Sequence, residues 1–227
     1  VRNYQSVKTL KDFETIDPPD LLSYQPVVPE IEDLRILRML VRPKYGALYI
    51  PEVLKPLQLV IHQMIAWDKY LTGIDHSWVY VTVRSGICNY VTDDEWHFDG
   101  ASFRTDIIPE RNYVWVSHYP FQYKTGKIEW PADFDPNKHN LFTYASRALE
   151  DKPIRTVMPK NWYLVSPFVL HRRDPASNGK RRTFIRISFP DIEGRDINNT
   201  ENPMLSTPFF GRDPVKSFRN NLVDYNG

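Results

Sequence analysis

At Gly73 the spacing of apolar side chains changes, and that change most narrows what this chain can fold into. Before it, Leu57, Val60, Ile61, Met64, Ile65 and Leu71 recur at helical intervals, predicting a helix from about Glu52 or Pro56 to Leu71 with Gly73 as its stop. Ile31, Leu34, Leu37 and Val41 show the same three- and four-residue steps and predict an earlier helix over Ile31–Val41. After Gly73, Val79, Val81 and Val83 alternate with Tyr80, Thr82 and Arg84, the period of a half-buried strand. Helices followed by strands predict a mainly β fold in which the helices buttress one outer face.

Further short strands are expected at Ile87–Val91, Asn112–His118, Asn140–Tyr144, Ile154–Val157, Trp162–Ser166 and Arg182–Phe189. The turn Asp174–Lys180, with its Asn178-Gly179 pair, predicts a hairpin joining a strand near His171 to one beginning near Arg182. Nineteen Pro against 9 Gly fit many short segments joined by stiff turns, so a long helical bundle fits poorly. The expected layout is one domain: an arm at 1–29, a helical buttress at 30–73, a β core at 78–189 and an extension at 190–227. Asp213-Pro214-Val215 would open a short terminal helix in that extension. The strands themselves suggest an antiparallel barrel or two-sheet jelly roll.

With 29 basic and 28 acidic side chains, the net charge of +1 leaves no global field for nucleic acid or an anionic membrane. One cysteine, Cys88, and no apolar run of membrane-spanning length predict a soluble, cytoplasmic protein with no membrane partner. Asn198-Asn199-Thr200 is formally a glycosylation sequon and reads as loop.

Chemistry is suggested by Glu95-Trp96-His97-Phe98-Asp99-Gly100 and, far along the chain, by His171. Phe98 separates His97 from Asp99, so in extended backbone both project from one face. Two imidazoles and a carboxylate can hold divalent iron on one side and leave the other open. On ligand types alone, a surface hydrogen-bonded pair and a strand-capping histidine serve equally well. What favours the metal is Arg182-Thr183-Phe184-Ile185-Arg186-Ile187-Ser188-Phe189, where Arg186 and Ser188 share a face with Phe184. An arginine inside such a strand is costly to bury unless an anion meets it.

In these elements, over roughly Val79 to Phe189, the chain resembles the Fe(II)/2-oxoglutarate-dependent oxygenases. The resemblance implies a double-stranded β-helix, cupin-like in its barrel. It implies that His97, Asp99 and His171 bind Fe(II) as the catalytic metal centre, while Arg186 and Ser188 bind the distal carboxylate of 2-oxoglutarate. Dioxygen would be the co-reactant, with hydroxylation of an amino acid, a peptidyl residue or another small polar metabolite, and conversion of 2-oxoglutarate to succinate and CO2. A cupin-like metal- or ligand-binding protein without oxygen chemistry is the alternative; an oxygenase acting on nucleic acid is a third reading.

That third reading rests on Arg172, Arg173, Lys180, Arg181 and Arg182, which could also attract an acidic substrate but more often would be solvated. Arg182 is the fallback anchor for 2-oxoglutarate. Trp96, Phe98, Phe103, Trp115 and Tyr119 are expected in the core rather than around a pocket. Asp93-Asp94-Glu95 reads as a solvated loop, and His62, His76, His118 and His139 have no partner spacing. The connections 120–139, 145–152 and 191–208 are expected to fold over the barrel mouth and read substrate.

Overall fold

The computed structural model describes residues 9–75, 77–89, 94–100, 110–194, 196–205 and 222–225. Its strands are β1 (Thr15–Ile16), β2 (Asp20–Leu21), β3 (Leu34–Arg42), β4 (Val79–Ile87), β5 (Arg111–Val116), β6 (Gln122–Lys124), β7 (Gly126–Lys127), β8 (Arg155–Thr156), β9 (Trp162–Val165), β10 (Leu170–Arg172) and β11 (Arg181–Phe189). The helices are α1 (Gln58–Thr72), preceded by a 3-10 turn at Glu52–Leu57, and α2 (Leu141–Ala148). Six strands form one sheet in the order β2-β9-β5-β11-β4-β3, three form a second in the order β10-β6-β8, and β1 pairs with β7. Every pairing is antiparallel. The fold is therefore mainly β, with no closed barrel among the described residues.

The six-stranded sheet buries both faces at its centre, so β5 is buried throughout and β4 over Val79–Val83 instead of alternating with solvent. Its outer face carries Met39, Val81, Ile185, Ile187 and Trp115, on which α1 lays Val60, Ile61 and Met64. Gly73 ends α1 with φ 72, the left-handed conformation that lets its N–H return to the Lys69 carbonyl. Leu71, expected inward, is 37% exposed. Asp68 of α1 is buried and accepts from Arg111 Nε at 2.7 Å, Arg111 Nη2 at 2.8 Å and the Tyr113 hydroxyl at 2.8 Å, tying the helix to β5. The inner face contributes Val114, Val116, Tyr163 and Val165 to a second cluster, which Phe121, Val157 and Val169 complete near the three-stranded sheet.

Three sequence expectations are overturned. Ile31–Val41 is no helix: Leu34–Arg42 is strand β3, paired with β4. A β-bulge between Ile36 and Met39, with Arg38 at φ 45, puts both on the core side although they are three apart; of Ile31, Leu34, Leu37 and Val41, whose spacing suggested a helix, only Val41 is fully buried. Asn140–Tyr144 is no strand, because Asn140 Oδ1 accepts from Phe142 N and Thr143 N and caps α2. The Asn178-Gly179 turn joins β10 and β11 across two sheets instead of closing a hairpin; Gly179 alone takes positive φ, at 69.

The arm begins its structure before Glu30. It supplies β1 to β7 and β2 to β9, seats Phe13 and Ile16 in a third apolar cluster, and fixes Gln25 Oε1 to Trp162 N at 2.7 Å. No helix among the described residues is long and apolar enough to cross a membrane. Phe103, Asp93, His76 and the terminal helix expected near Asp213 lie outside the described residues, as does the end of the strand expected at Ile87–Val91.

Candidate metal centre

His97 and His171 face each other across one antiparallel bridge. His97 N donates to His171 O at 2.9 Å and His171 N donates to His97 O at 3.1 Å, so the two side chains leave the same face of the pair. Alternation does the rest: Phe98 and Leu170 turn to the opposite side and are buried together in the third cluster, while Asp99 returns to the side of His97. One ligand atom from each of His97, Asp99 and His171 lies within 4.8 Å of the others. The bridge, made between segments 74 residues apart, builds the triad.

Each imidazole has its Nδ1 engaged by a backbone carbonyl, which points Nε2 to any metal. His97 Nδ1 lies 2.8 Å from Glu95 O, and His171 Nδ1 lies 2.9 Å from Val169 O. A carbonyl oxygen only accepts, so both Nδ1 atoms carry a proton, and in the neutral imidazole the lone pair is then left on Nε2. The same two-residue backward hydrogen bond serves both ligands.

Asp99 is ionised. Burial opposes its charge, but Arg186 together with His171 and His97 outweighs that penalty and holds the carboxyl well below the usual range. Arg186 Nη1 donates to Asp99 Oδ2 at 2.7 Å, and His171 Nε2 stands 3.6 Å from the same oxygen. Arg186 therefore reaches the triad itself. Its register explains why: on β11, Arg186 pairs with Val114 of β5 and Thr82 of β4, in the middle of the inner face.

Ser188 shares that face but is buried, with its hydroxyl donating to Asn112 Oδ1 at 2.6 Å. Two nitrogens beside this pair, Arg186 Nε and Asn112 Nδ2, are buried with no hydrogen-bond partner. Such groups cost about 1–3 kcal/mol each when left unmet. They mark a place on the inner face where an acceptor is called for. Asn112 escaped sequence reading; its only signal was a polar residue immediately before the apolar run Tyr113–Val116.

Behind Asp99 stands a second ion pair, also missed. Arg38 Nη1 and Nη2 grip Glu110 Oε1 and Oε2 at 2.7 and 3.1 Å, and the Arg38 guanidinium lies 4.7 Å from the centre of the Tyr80 ring. The β3 bulge aims Arg38 there, while its N–H donates to Thr82 Oγ1 at 3.1 Å. Burial works against the Glu110 charge, but Arg38 prevails and lowers its pKa, with Arg186 adding to the effect. Gly100, at φ 70, lets the Asp99 loop close on this pair: a Cβ there would sit 2.7 Å from Glu110 Cβ.

The basic cluster is dispersed by the fold. Arg172 donates through Nε to Gln122 at 2.9 Å and lies over Trp96, Arg181 pairs with exposed Asp33, and Arg173 and Arg182 are buried rather than solvated. Asp94 is no solvated loop residue, because it pairs with Arg173. Phe98 and Trp115 are core residues, as expected. His62 and His118 are exposed, away from the triad, and His139 Nδ1 accepts from Asp135 N.

No protein-family model matches this chain, and no curated protein matches it. Among solved structures, AviO1 from Streptomyces viridochromogenes Tue57 aligns at 13% identity and a TM-score of 0.30, covering 66% of this chain. The alignment spans 61% of AviO1, less than two thirds of its length. A likeness of that size bears on neither fold nor function.

Proposed function

We propose that this protein is a mononuclear Fe(II), 2-oxoglutarate-dependent oxygenase that hydroxylates a C–H bond of an amino acid, a peptidyl residue or a small polar metabolite. In this reading the two facing sheets are the halves of a double-stranded β-helix. One observation carries the proposal: His97, Asp99 and His171 converge, with both Nδ1 atoms engaged by backbone carbonyls and the carboxylate held ionised. That donor set, two imidazole nitrogens and one carboxylate oxygen, suits Fe(II) and leaves coordination positions for other ligands. The orphaned Arg186 Nε and Asn112 Nδ2 fit the same reading, as donors for the cosubstrate's distal carboxylate.

Bound Fe(II), with 2-oxoglutarate and dioxygen, supplies the oxidising chemistry: the cosubstrate leaves as succinate and CO2, with one oxygen atom in each of succinate and the hydroxylated product. The protein's own part is positional. Glu95 O and Val169 O orient the two imidazoles, and Arg186 keeps Asp99 ionised and turned toward them. Phe98, buried beneath the ligand segment, fixes the direction in which His97 and Asp99 project. Ser188 holds the Asn112 amide in place on the inner face.

Anaerobic titration of the full chain with Fe(II) and then 2-oxoglutarate tests the proposal. The expected result is a visible charge-transfer band. Arg186→Ala should weaken 2-oxoglutarate tenfold or more while iron still binds. Folded, iron-loaded protein that develops no band would overturn the assignment.

A further inference from the structure

The bulge in β3 leaves backbone groups without ladder partners, and its neighbours take them up. Arg38 N donates to Thr82 Oγ1, while Leu37 N donates to Thr200 Oγ1 at 2.9 Å and Leu37 O accepts from Thr200 N at 2.7 Å. Two residues on, Asn202 Nδ2 donates to Leu40 O at 2.8 Å and to Tyr49 O at 2.9 Å. Because β3 is the last strand of its sheet, the segment carrying Thr200 and Asn202 lies along an edge that would otherwise be open. The same segment supplies Gly194, whose N–H donates to the Tyr80 hydroxyl at 2.9 Å and whose carbonyl accepts from Asn199 Nδ2 at 2.8 Å.

Gly194 and Tyr80 both pack on the Arg38 guanidinium. A Cβ on Gly194 would sit 2.8 Å from Arg38 Nη2 and 2.9 Å from Nε, and the Tyr80 ring centre is 4.7 Å away. With its backbone fixed by Thr82 and its head enclosed, Arg38 is directed to Glu110 and engages both carboxylate oxygens in two parallel bonds.

Glu110 stands where a second anion competes with Asp99. It closes on Gly100, the neighbour of Asp99, so tightly that a Cβ on Gly100 would meet Glu110 Cβ at 2.7 Å. The charge of Arg186 favours the ionised form of both carboxylates, yet its hydrogen bond, through Nη1, goes to Asp99. Arg186 Nε has no partner, so this guanidinium keeps a donor with which to turn to another acceptor. A Glu110 oxygen left free would offer that acceptor, and any turn toward it takes Arg186 from Asp99.

We infer that Arg38 is a positioning residue of the metal centre: by engaging both oxygens of Glu110 it leaves Arg186 to Asp99, and Gly194 and Thr200 hold Arg38 in place. The inference rests on the metal centre of the reading above and not on its cosubstrate.

NMR couplings across hydrogen bonds in the wild-type chain, which needs no variant to fold, should link Arg38 nitrogens to the Glu110 carboxyl carbon and an Arg186 nitrogen to that of Asp99. A coupling from Arg186 to Glu110 instead overturns the inference. Arg38→Gln should move the Arg186 Nε–H signal and alter the visible spectrum of Co(II) bound to the full chain. Adding Glu110→Gln to that variant should restore both, because the competing anion is gone. Gly194→Ala, which displaces Arg38 without removing a charge, should move the Arg186 signal in the same direction. A purely structural ion pair would lower urea stability in Arg38→Gln and leave the Arg186 signal and the Co(II) spectrum as in wild type. That result overturns the inference, as does a spectrum altered equally with and without Glu110→Gln. Wild-type chain that takes up no Co(II) removes the metal centre and this inference with it. Co(II) uptake with the rescue, but no charge-transfer band from Fe(II) and 2-oxoglutarate, removes the oxygenase reading alone; the band without the rescue removes the role of Arg38 alone.

Discussion

The chemistry of this protein depends on a few backbone atoms as much as on its side chains. His97 and His171 can offer Nε2 to a metal because the carbonyls of Glu95 and Val169 take their Nδ1 protons, an arrangement that each histidine carries with it two residues back in its own segment. Gly100 has a comparable local role, since φ 70 and the 2.7 Å approach to Glu110 Cβ leave no room for a side chain. Gly100→Ala should therefore cost about 1–3 kcal/mol through strain and overpacking. It should also weaken metal binding, because Asp99 is the adjacent residue. Urea unfolding and a Co(II) titration check the two effects; wild-type values in both would remove Gly100 from the architecture of the site.

At the scale of elements, irregularity places the functional groups. The bulge in β3 breaks the alternation between Ile36 and Met39, which keeps both in the core and turns Arg38 toward Glu110. A regular strand would put two residues on every turn of the pleat and lose one of these contacts. The short α2 depends on its cap, for eight residues contain little intrinsic helical stability. Asn140→Ala should destabilise the protein by about 1 kcal/mol, and Asn140→Asp by much less, measured by denaturant unfolding. Equal stability in Asn140→Ala would mean that packing of Leu141 and Ala145 holds the helix unaided.

Across the whole molecule, charges far apart in sequence alternate through the inner layer: Asp99 with Arg186, and Glu110 with Arg38. Burial raises both carboxyl pKa values, but the arginines outweigh it, with a net downward shift for each. The folded state then binds fewer protons than the unfolded chain wherever the pH lies between the lowered values and the ordinary carboxylate range near 4. Their contribution to stability is complete above that range and disappears as pH falls through the folded values. Unfolding free energy measured by urea at successive pH values should thus decline below about pH 4, and Glu110→Gln should make that acid limb shallower. An unchanged limb in the variant would show that Glu110 takes no part.

Much of this was legible from local pattern. Alternation located β4 and β11, and short runs bounded by turn residues located β5 and β9, each to within a few residues, while Gly73 marked the end of α1. The inner face of β11 was also readable, because alternation along one strand needs no partner. What sequence could not decide was anything set by a partner strand. The core face of β3 is set by a bulge defined only against β4, the position of Arg38 follows from that bulge, and Asn112 matters only where Ser188 lies opposite it. His97, Asp99 and His171 were identifiable as ligand types, and Arg186 as a buried cation. Their meeting was decided by a single backbone bridge between His97 and His171, since two hydrogen bonds across 74 residues turn three separate side chains into one site.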